Sequence, residues 1–392
     1  MNPYQYYRDR HPEQFSDSKR ECCLTKEVFE FQLSKLSADM KQDEFENFTR
    51  QLVCRLITPN LIPQTGPVGG GDGKTDIETH TVSDDISVHW YVPGGGCRDG
   101  EKWALAVSCK SNWKEKVKHD VKSIIETGRG FTKILFFTNQ LVRSKEKADL
   151  YENFRTLYDI EVEIYDQKWY VQSVFDNKCE DVAVSALNLS ASLSPQIIEG
   201  PNDRNRKELI KKIEDNLLAE GNEFGLDSKY VEDLIESAKL SRYIEDAPYV
   251  IRGKFERALS EAKAHGLAQQ EYEIIYQMGW TEFYWFQSPD GMYARYSKLK
   301  DMIEDEVNVP RLEKLYNLFN LISGASAQGL FINPVDIRHE REYLDLLYKR
   351  ISQSNSTRFS ALFLKICILE CEMIYDGLEE QELSKRLIEY QD

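Results

Sequence analysis

Apolar positions change their period several times in the first half of the chain and keep one period in the second. Phe45, Phe48, Leu52, Val53, Leu56 and Ile57 recur at three and four residues, which predicts an amphipathic helix over 43–58 stopped by Pro59 and Asn60. A shorter helix is predicted over 27–38. Another spans 113–128, with Val117, Val121, Ile124 and Ile125 facing inward and Gly128 as its cap. Between them the period drops to two. Asp76–Val82 and Ile86–Val92 alternate and read as strands joined by an acidic turn at Asp84 and Asp85. Trp103–Cys109 reads as a buried strand with Lys110 at its end, so the three strands suggest an antiparallel meander. Lys133–Thr138 is a short continuous apolar run, the mark of a buried parallel strand. A helix over 143–158, an alternating strand over Ile160–Tyr165 and helices over 168–176 and 179–188 follow. Helix and strand alternate after Lys110, which implies a layered α/β domain.

From Lys207 onward the pattern is helix after helix: 207–219, 228–240, 248–265, 267–285, 292–304, 310–323, 336–352, 357–375 and 379–390. The stretch from Tyr272 to Tyr296 has the spaced large and small residues of tetratricopeptide-type hairpins, without a clean repeat of about 34 residues. A solenoid-like stack and a plain bundle with an aromatic core both fit. The expected organisation is an arm over 1–26 packed on the first domain, an α/β domain over 27–188, a linker over 189–206 and an all-α domain over 207–392. Pro195, Gly200 and Pro201 mark the linker.

Composition narrows the classes. The chain has 392 residues, room for two or more domains. No apolar run approaches the ~20 residues that span a bilayer, and the first residues lack a signal-peptide pattern. Eight irregularly spaced cysteines, with no CxxC pair, suggest reduced thiols and a cytoplasmic protein rather than structural zinc. The net charge of −16 argues against a general nucleic-acid coat. Residues 101–150, however, hold 11 Lys+Arg against 6 Asp+Glu. Lys110, Lys114, Lys116, Lys118 and Lys122 lie there, either as a groove for one phosphate backbone or as a solvated helix face.

The chemistry gathers between Gly66 and Lys110. The loop GPVGGGDGKT lacks the spacing of a phosphate loop, and a strand rather than a helix follows it. Its glycines instead let the backbone turn tightly into Asp76. Asp76 and Glu78 share one face of a strand by alternation. A carboxylate pair with a lysine closing the neighbouring strand suits metal-dependent phosphodiester hydrolysis. The acids hold a hard cation, and the lysine steadies the water or the developing charge. Glu46 stands at the margin of an apolar helical stripe, where it either faces a site or answers the helix dipole. His80 and His119 read as structural or solvated.

Together these residues resemble the PD-(D/E)XK restriction-endonuclease-like superfamily, in particular its Mrr-like branch. The resemblance rests on a helix bearing Glu46, the turn GGGDGKT into Asp76, and a strand ending Ser108-Cys109-Lys110. The order helix, three strands, helix, strand agrees with it. RDRHPEQFSDS, LIPQTGPVGGGDGKTD and ETGRGFTKILFFTNQ look like nuclease effector domains of bacterial antiphage defence proteins. The resemblance implies an endonuclease using Mg²⁺ or Mn²⁺, with Asp76 and Glu46 at the metal and Lys110 as the catalytic cation; Glu78, on the same strand face as Asp76, is read as a further metal ligand. Lys114, Lys116, Lys118 and Lys122 would hold double-stranded DNA with little base selectivity. The helical part would regulate the nuclease, or bind a protein partner or further copies in a homo-oligomer. Ser108 departs from the family, because a serine hydroxyl is a poor partner for a carboxylate on Mg²⁺. Glu78 or Glu46 then supplies the second carboxylate, or the fold is a catalytically inactive binding or scaffolding module. A further alternative has the helical half bind a small anionic signal.

Overall fold

The computed structural model describes residues 2–63, 77–79, 102–220, 228–265, 267–303, 308–353 and 358–375. Asp76, His80, the strand expected at 86–92 and the helix expected at 379–390 lie outside the described residues. The chain forms two units. One, Ser16–Leu209 with Ile244–Arg257, holds the sheets; the other, Met1–Phe15 with Ile210–Tyr243 and Ala258–Asp392, is helical.

The N-terminal segment begins with helix α1 (Pro3–Arg10) and strand β1 (Lys19–Glu21). Helix α2 (Lys26–Ala38) is capped by the Thr25 hydroxyl, which accepts from the Val28 N–H. Helix α3 (Gln42–Leu56) buries Phe45, Phe48, Leu52 and Val53, the stripe its sequence predicts. Strands β2 (Leu61–Pro63), β3 (Ile77–Thr79) and β4 (Trp103–Ser108) pair antiparallel in succession. Helix α4 (Trp113–Glu126), strand β5 (Lys133–Thr138), helix α5 (Ser144–Tyr158) and strand β6 (Glu161–Tyr165) then complete a parallel half, giving the order β2-β3-β4-β5-β6. Helices α6 (Gln167–Asp176) and α7 (Glu180–Ala186) follow.

Alternation along β4 and β5 divides the core. Leu105, Val107, Cys109, Leu135 and Phe137 pack toward α2, α3, α6 and α7. Ala104, Ala106, Ile134 and Phe136 pack toward Val117, Val121 and Ile124 of α4 and Leu150 and Phe154 of α5. Both α4 and α5 link parallel strands that step in the same direction, so one crossover hand puts them on one face. The expected α/β layering is therefore present, with a mixed sheet.

Three expectations need correction. Residues 61–63, read as loop, form β2 opposite Ile77–Thr79. The expected linker carries strand β7 (Gln196–Ile198), which pairs antiparallel with β1, and the start of helix α8 (Pro201–Glu220). The arm belongs in part to the helical unit, where Tyr7 stacks on Tyr284 at 3.8 Å and Tyr4 meets Phe283 edge-on at 5.1 Å.

The helical unit continues through α9 (Ser228–Tyr243), α10 (Pro248–Ala264), α11 (Ala268–Tyr284), α12 (Pro289–Asp301), α13 (Val309–Ala327), α14 (Ile337–Ile351) and α15 (Arg358–Tyr375); the first part of α10 belongs to the sheet unit. No strand interrupts the described residues of this region. Tyr272, Met278, Tyr296, Leu315 and Phe319 are among its buried side chains. Gly279 admits Leu318, whose Cδ1 lies 3.0 Å from where a Cβ would stand. No helix of the described residues is long and apolar enough to cross a membrane.

Candidate active site

Gln42 opens α3 and Glu46 follows one turn later, so the two side chains share a face of the helix. That face lies against the end of β4. Gln42 Nε2 donates to the Val107 carbonyl at 2.9 Å, and Gln42 Oε1 accepts from the Cys109 N–H at 3.1 Å. Among the described residues β3 accompanies β4 only as far as Leu105. Beyond it the Gln42 amide does for Val107 and Cys109 what a neighbouring strand would do. The same Nε2 donates to Glu46 Oε1 at 2.8 Å. Ser37 of α2 donates to the Cys109 carbonyl, and Asn139 and Gln140, just past β5, donate to the Ser37 hydroxyl at 3.1 and 2.9 Å. The carboxyl ends of two parallel strands are thus tied to α2 and α3, the end where open α/β sheets present their sites.

Glu46 is half-buried and makes no ion pair among the described residues. Burial raises its carboxyl above the ordinary range. The Gln42 hydrogen bond lowers it, Asp43 raises it and Lys116 lowers it. Burial also pushes the Cys109 thiol up; its backbone hydrogen bond works the other way, Glu46 adds to the rise and Lys110 opposes it. Lys110 is exposed, and its backbone N–H donates to the buried Ser108 hydroxyl at 3.2 Å. Ser108 shapes the turn out of the strand.

The four lysines of the helix each meet a carboxylate. Lys116 lies 2.6 Å from Asp120, Lys118 3.1 Å from Glu115, Lys114 3.7 Å from Glu146 and Lys122 3.8 Å from Glu126. Lys110 alone of the five has no ion pair among the described residues. Asp120 is buried, whereas the pairs of Lys114, Lys118 and Lys122 are more exposed and are worth little. His119, the solvated histidine, is largely exposed beside Asp120.

Glu78 stands elsewhere. It is opposite Ala104 at the start of β4, on the face toward α4 and α5, and only 4 % exposed. Four residues of strand, about 13 Å, separate that level from Ser108. Arg129 Nη2 donates to Glu78 Oε2 at 2.6 Å, and Lys102 lies 4.0 Å away. Gly128 and Gly130 at positive φ flank Arg129 and turn it back from the end of α4. The structure therefore gives the Glu78 carboxylate to Arg129 and does not bring it to Lys110.

The described residues include no cluster of three His, Cys, Asp or Glu side chains able to hold a metal. Glu46 fits a hard cation as one ligand. It is a half-buried carboxylate with no ion pair among the described residues, and its Oε2 has no hydrogen bond there. Sequence reasoning located Glu46 but missed Gln42. Its only signal was an amide one turn ahead of Glu46 at the helix entrance. No family model, curated protein or solved structure matches the chain.

Proposed function

We propose that this chain is a metal-dependent endonuclease working at the end of β4, with its helical unit as a regulatory or oligomerising part. The observation that carries the reading is the pair of opposite charges there: Glu46, half-buried, and Lys110, exposed, neither with an ion pair among the described residues. A structural carboxylate is ordinarily given a partner, as Glu78 is. The succession α3, three antiparallel strands, α4 and a parallel strand supports the same reading. Asp76, next to Ile77 in sequence, is the second proposed ligand with Glu46. Bound there, Mg²⁺ or Mn²⁺ would polarise the scissile phosphate and lower the pKa of a water. Lys110 places its ammonium against the developing charge, and Lys114, Lys116, Lys118 and Lys122 trade their carboxylates for the backbone of the nucleic acid. Double-stranded DNA as substrate and antiphage defence as setting rest on the resemblance alone.

The test is cleavage of supercoiled plasmid at low salt with Mg²⁺, Mn²⁺ or chelator. Metal-dependent nicking by the wild type that Lys110→Ala loses supports the proposal; equal activity in both overturns the assignment of Lys110. Ser108 and the Glu78–Arg129 pair favour a second reading, a nuclease fold that binds nucleic acid without cutting it. Duplex binding without cleavage in any metal is its expected result.

A further inference from the structure

The Gln42 amide is committed at every position, and its bonds fall into two groups. Two bonds, to the Val107 carbonyl and the Cys109 N–H, fasten the start of α3 to the end of β4. The third, from Nε2 to Glu46 Oε1, fixes a carboxylate rather than the fold. The Cys109 thiol also donates to Gln42 Oε1 at 3.0 Å, which holds the amide plane. A tether alone needs no bond to Glu46. Ser37 already joins α2 to the Cys109 carbonyl without touching any carboxylate.

We infer that Gln42 is the positioning residue of the site, holding Glu46 Oε1 and thereby presenting Oε2 of the same carboxylate to the divalent cation. The inference rests on the proposed nuclease reading. One Nε2 bridges strand and carboxylate, so the metal ligand is registered on β4 itself and moves with Lys110. A side chain of three rotatable bonds such as Glu46 would otherwise sample several rotamers, and a loosely held ligand binds metal weakly.

The experiment uses the full chain and four variants: Gln42→Met, Ser37→Ala, Glu46→Gln and the double variant Gln42→Met/Glu46→Gln. Mn²⁺ binding is measured by titration calorimetry without nucleic acid, kcat and KM on duplex DNA in Mn²⁺, and stability by thermal unfolding. Gln42→Met is expected to weaken Mn²⁺ binding about tenfold or more, as loss of a residue that orients a ligand does. It should lower kcat with KM little changed, and the double variant should be no worse than Glu46→Gln. Ser37→Ala should lower the Tm and keep the Mn²⁺ affinity. Wild-type affinity and kcat in Gln42→Met, or equal losses of affinity in Gln42→Met and Ser37→Ala, overturn the inference and leave the nuclease reading standing. Wild-type Mn²⁺ binding by Glu46→Gln, or a wild type that binds no Mn²⁺, overturns both. If Gln42→Met does not fold, Gln42→Asn carries the test. It keeps the amide but is one methylene too short to span strand and carboxylate, and the same loss of affinity is expected.

Discussion

Burial works against the charge of Glu46, and the hydrogen bond from Gln42 and the field of Lys116 offset it only in part. Its folded pKa is raised. The stability tied to this proton is therefore fully present below the unfolded value, near 4.5, and is lost as pH rises through the folded value. Glu46→Gln, which needs no such proton, should raise the Tm at pH 7 to 8 relative to wild type, and the gain should shrink toward pH 4. If the proposed function holds, the same variant loses cleavage, so stability and activity move in opposite directions. Glu78 plays a different part, because it is ion-paired with Arg129. Arg129→Met removes the closest cation from a buried carboxylate and should cost about 3 kcal/mol, read from urea unfolding. Glu78→Gln should lose stability yet keep metal-dependent cleavage in the folded fraction. Loss of cleavage at unchanged stability would instead make Glu78 a ligand. The sequence indicated where Glu46 lies because helical period places it relative to an apolar stripe. It gave no hint of Arg129, which is 51 residues from Glu78 and joins it only through tertiary structure.

Elements with a sustained apolar period were legible. α3, α4 and β5 fall where spacing puts them, and Gly128 adopts the left-handed conformation expected after a helix, with φ +62° and its N–H on the Ile125 carbonyl at 3.0 Å. Nothing lies within 4 Å of a Cβ built there, so Gly128→Ala meets only backbone strain. It should cost about 1 kcal/mol, read as a lower urea midpoint at unchanged slope. Gly130→Ala should cost about as much for the same reason, and both loosen the turn that aims Arg129. Short strands were not legible. β2 and β7 have three residues each, too few to display alternation, and both fall in stretches where Pro and Gly signalled loop. Pairing made them strands: Leu61–Pro63 gains β3, and Gln196–Ile198 gains β1. Likewise the polar, aromatic arm had no period to read. Tyr4 and Tyr7 are ordered by the rings of Phe283, Tyr284 and Trp280, far off in sequence.

At the scale of the molecule, an acidic chain is proposed to hold a polyanion. With a net charge of −16, binding must come from a restricted patch, since the mean field repels DNA. The proposed patch has five lysines, and four of them already face carboxylates. A fully used set of five would release counterions with a slope of log K against log salt of about −4.5. A lysine that leaves a carboxylate for a phosphate exchanges one neutralisation for another, so the expected slope is shallower, about −2 to −4. Duplex binding measured by fluorescence anisotropy between 50 and 200 mM salt (roughly the range over which such slopes are read), with Ca²⁺ in place of the catalytic metal, gives this number directly. Lys110→Ala should remove nearly a full unit of slope, because Lys110 has no carboxylate to give up among the described residues. Lys118→Ala should remove less, because its phosphate contact is made at the expense of Glu115. A slope steeper than about −6, unchanged by either substitution, would move the interface away from α4 and the end of β4. The candidate site would then have to be sought on another surface of the chain.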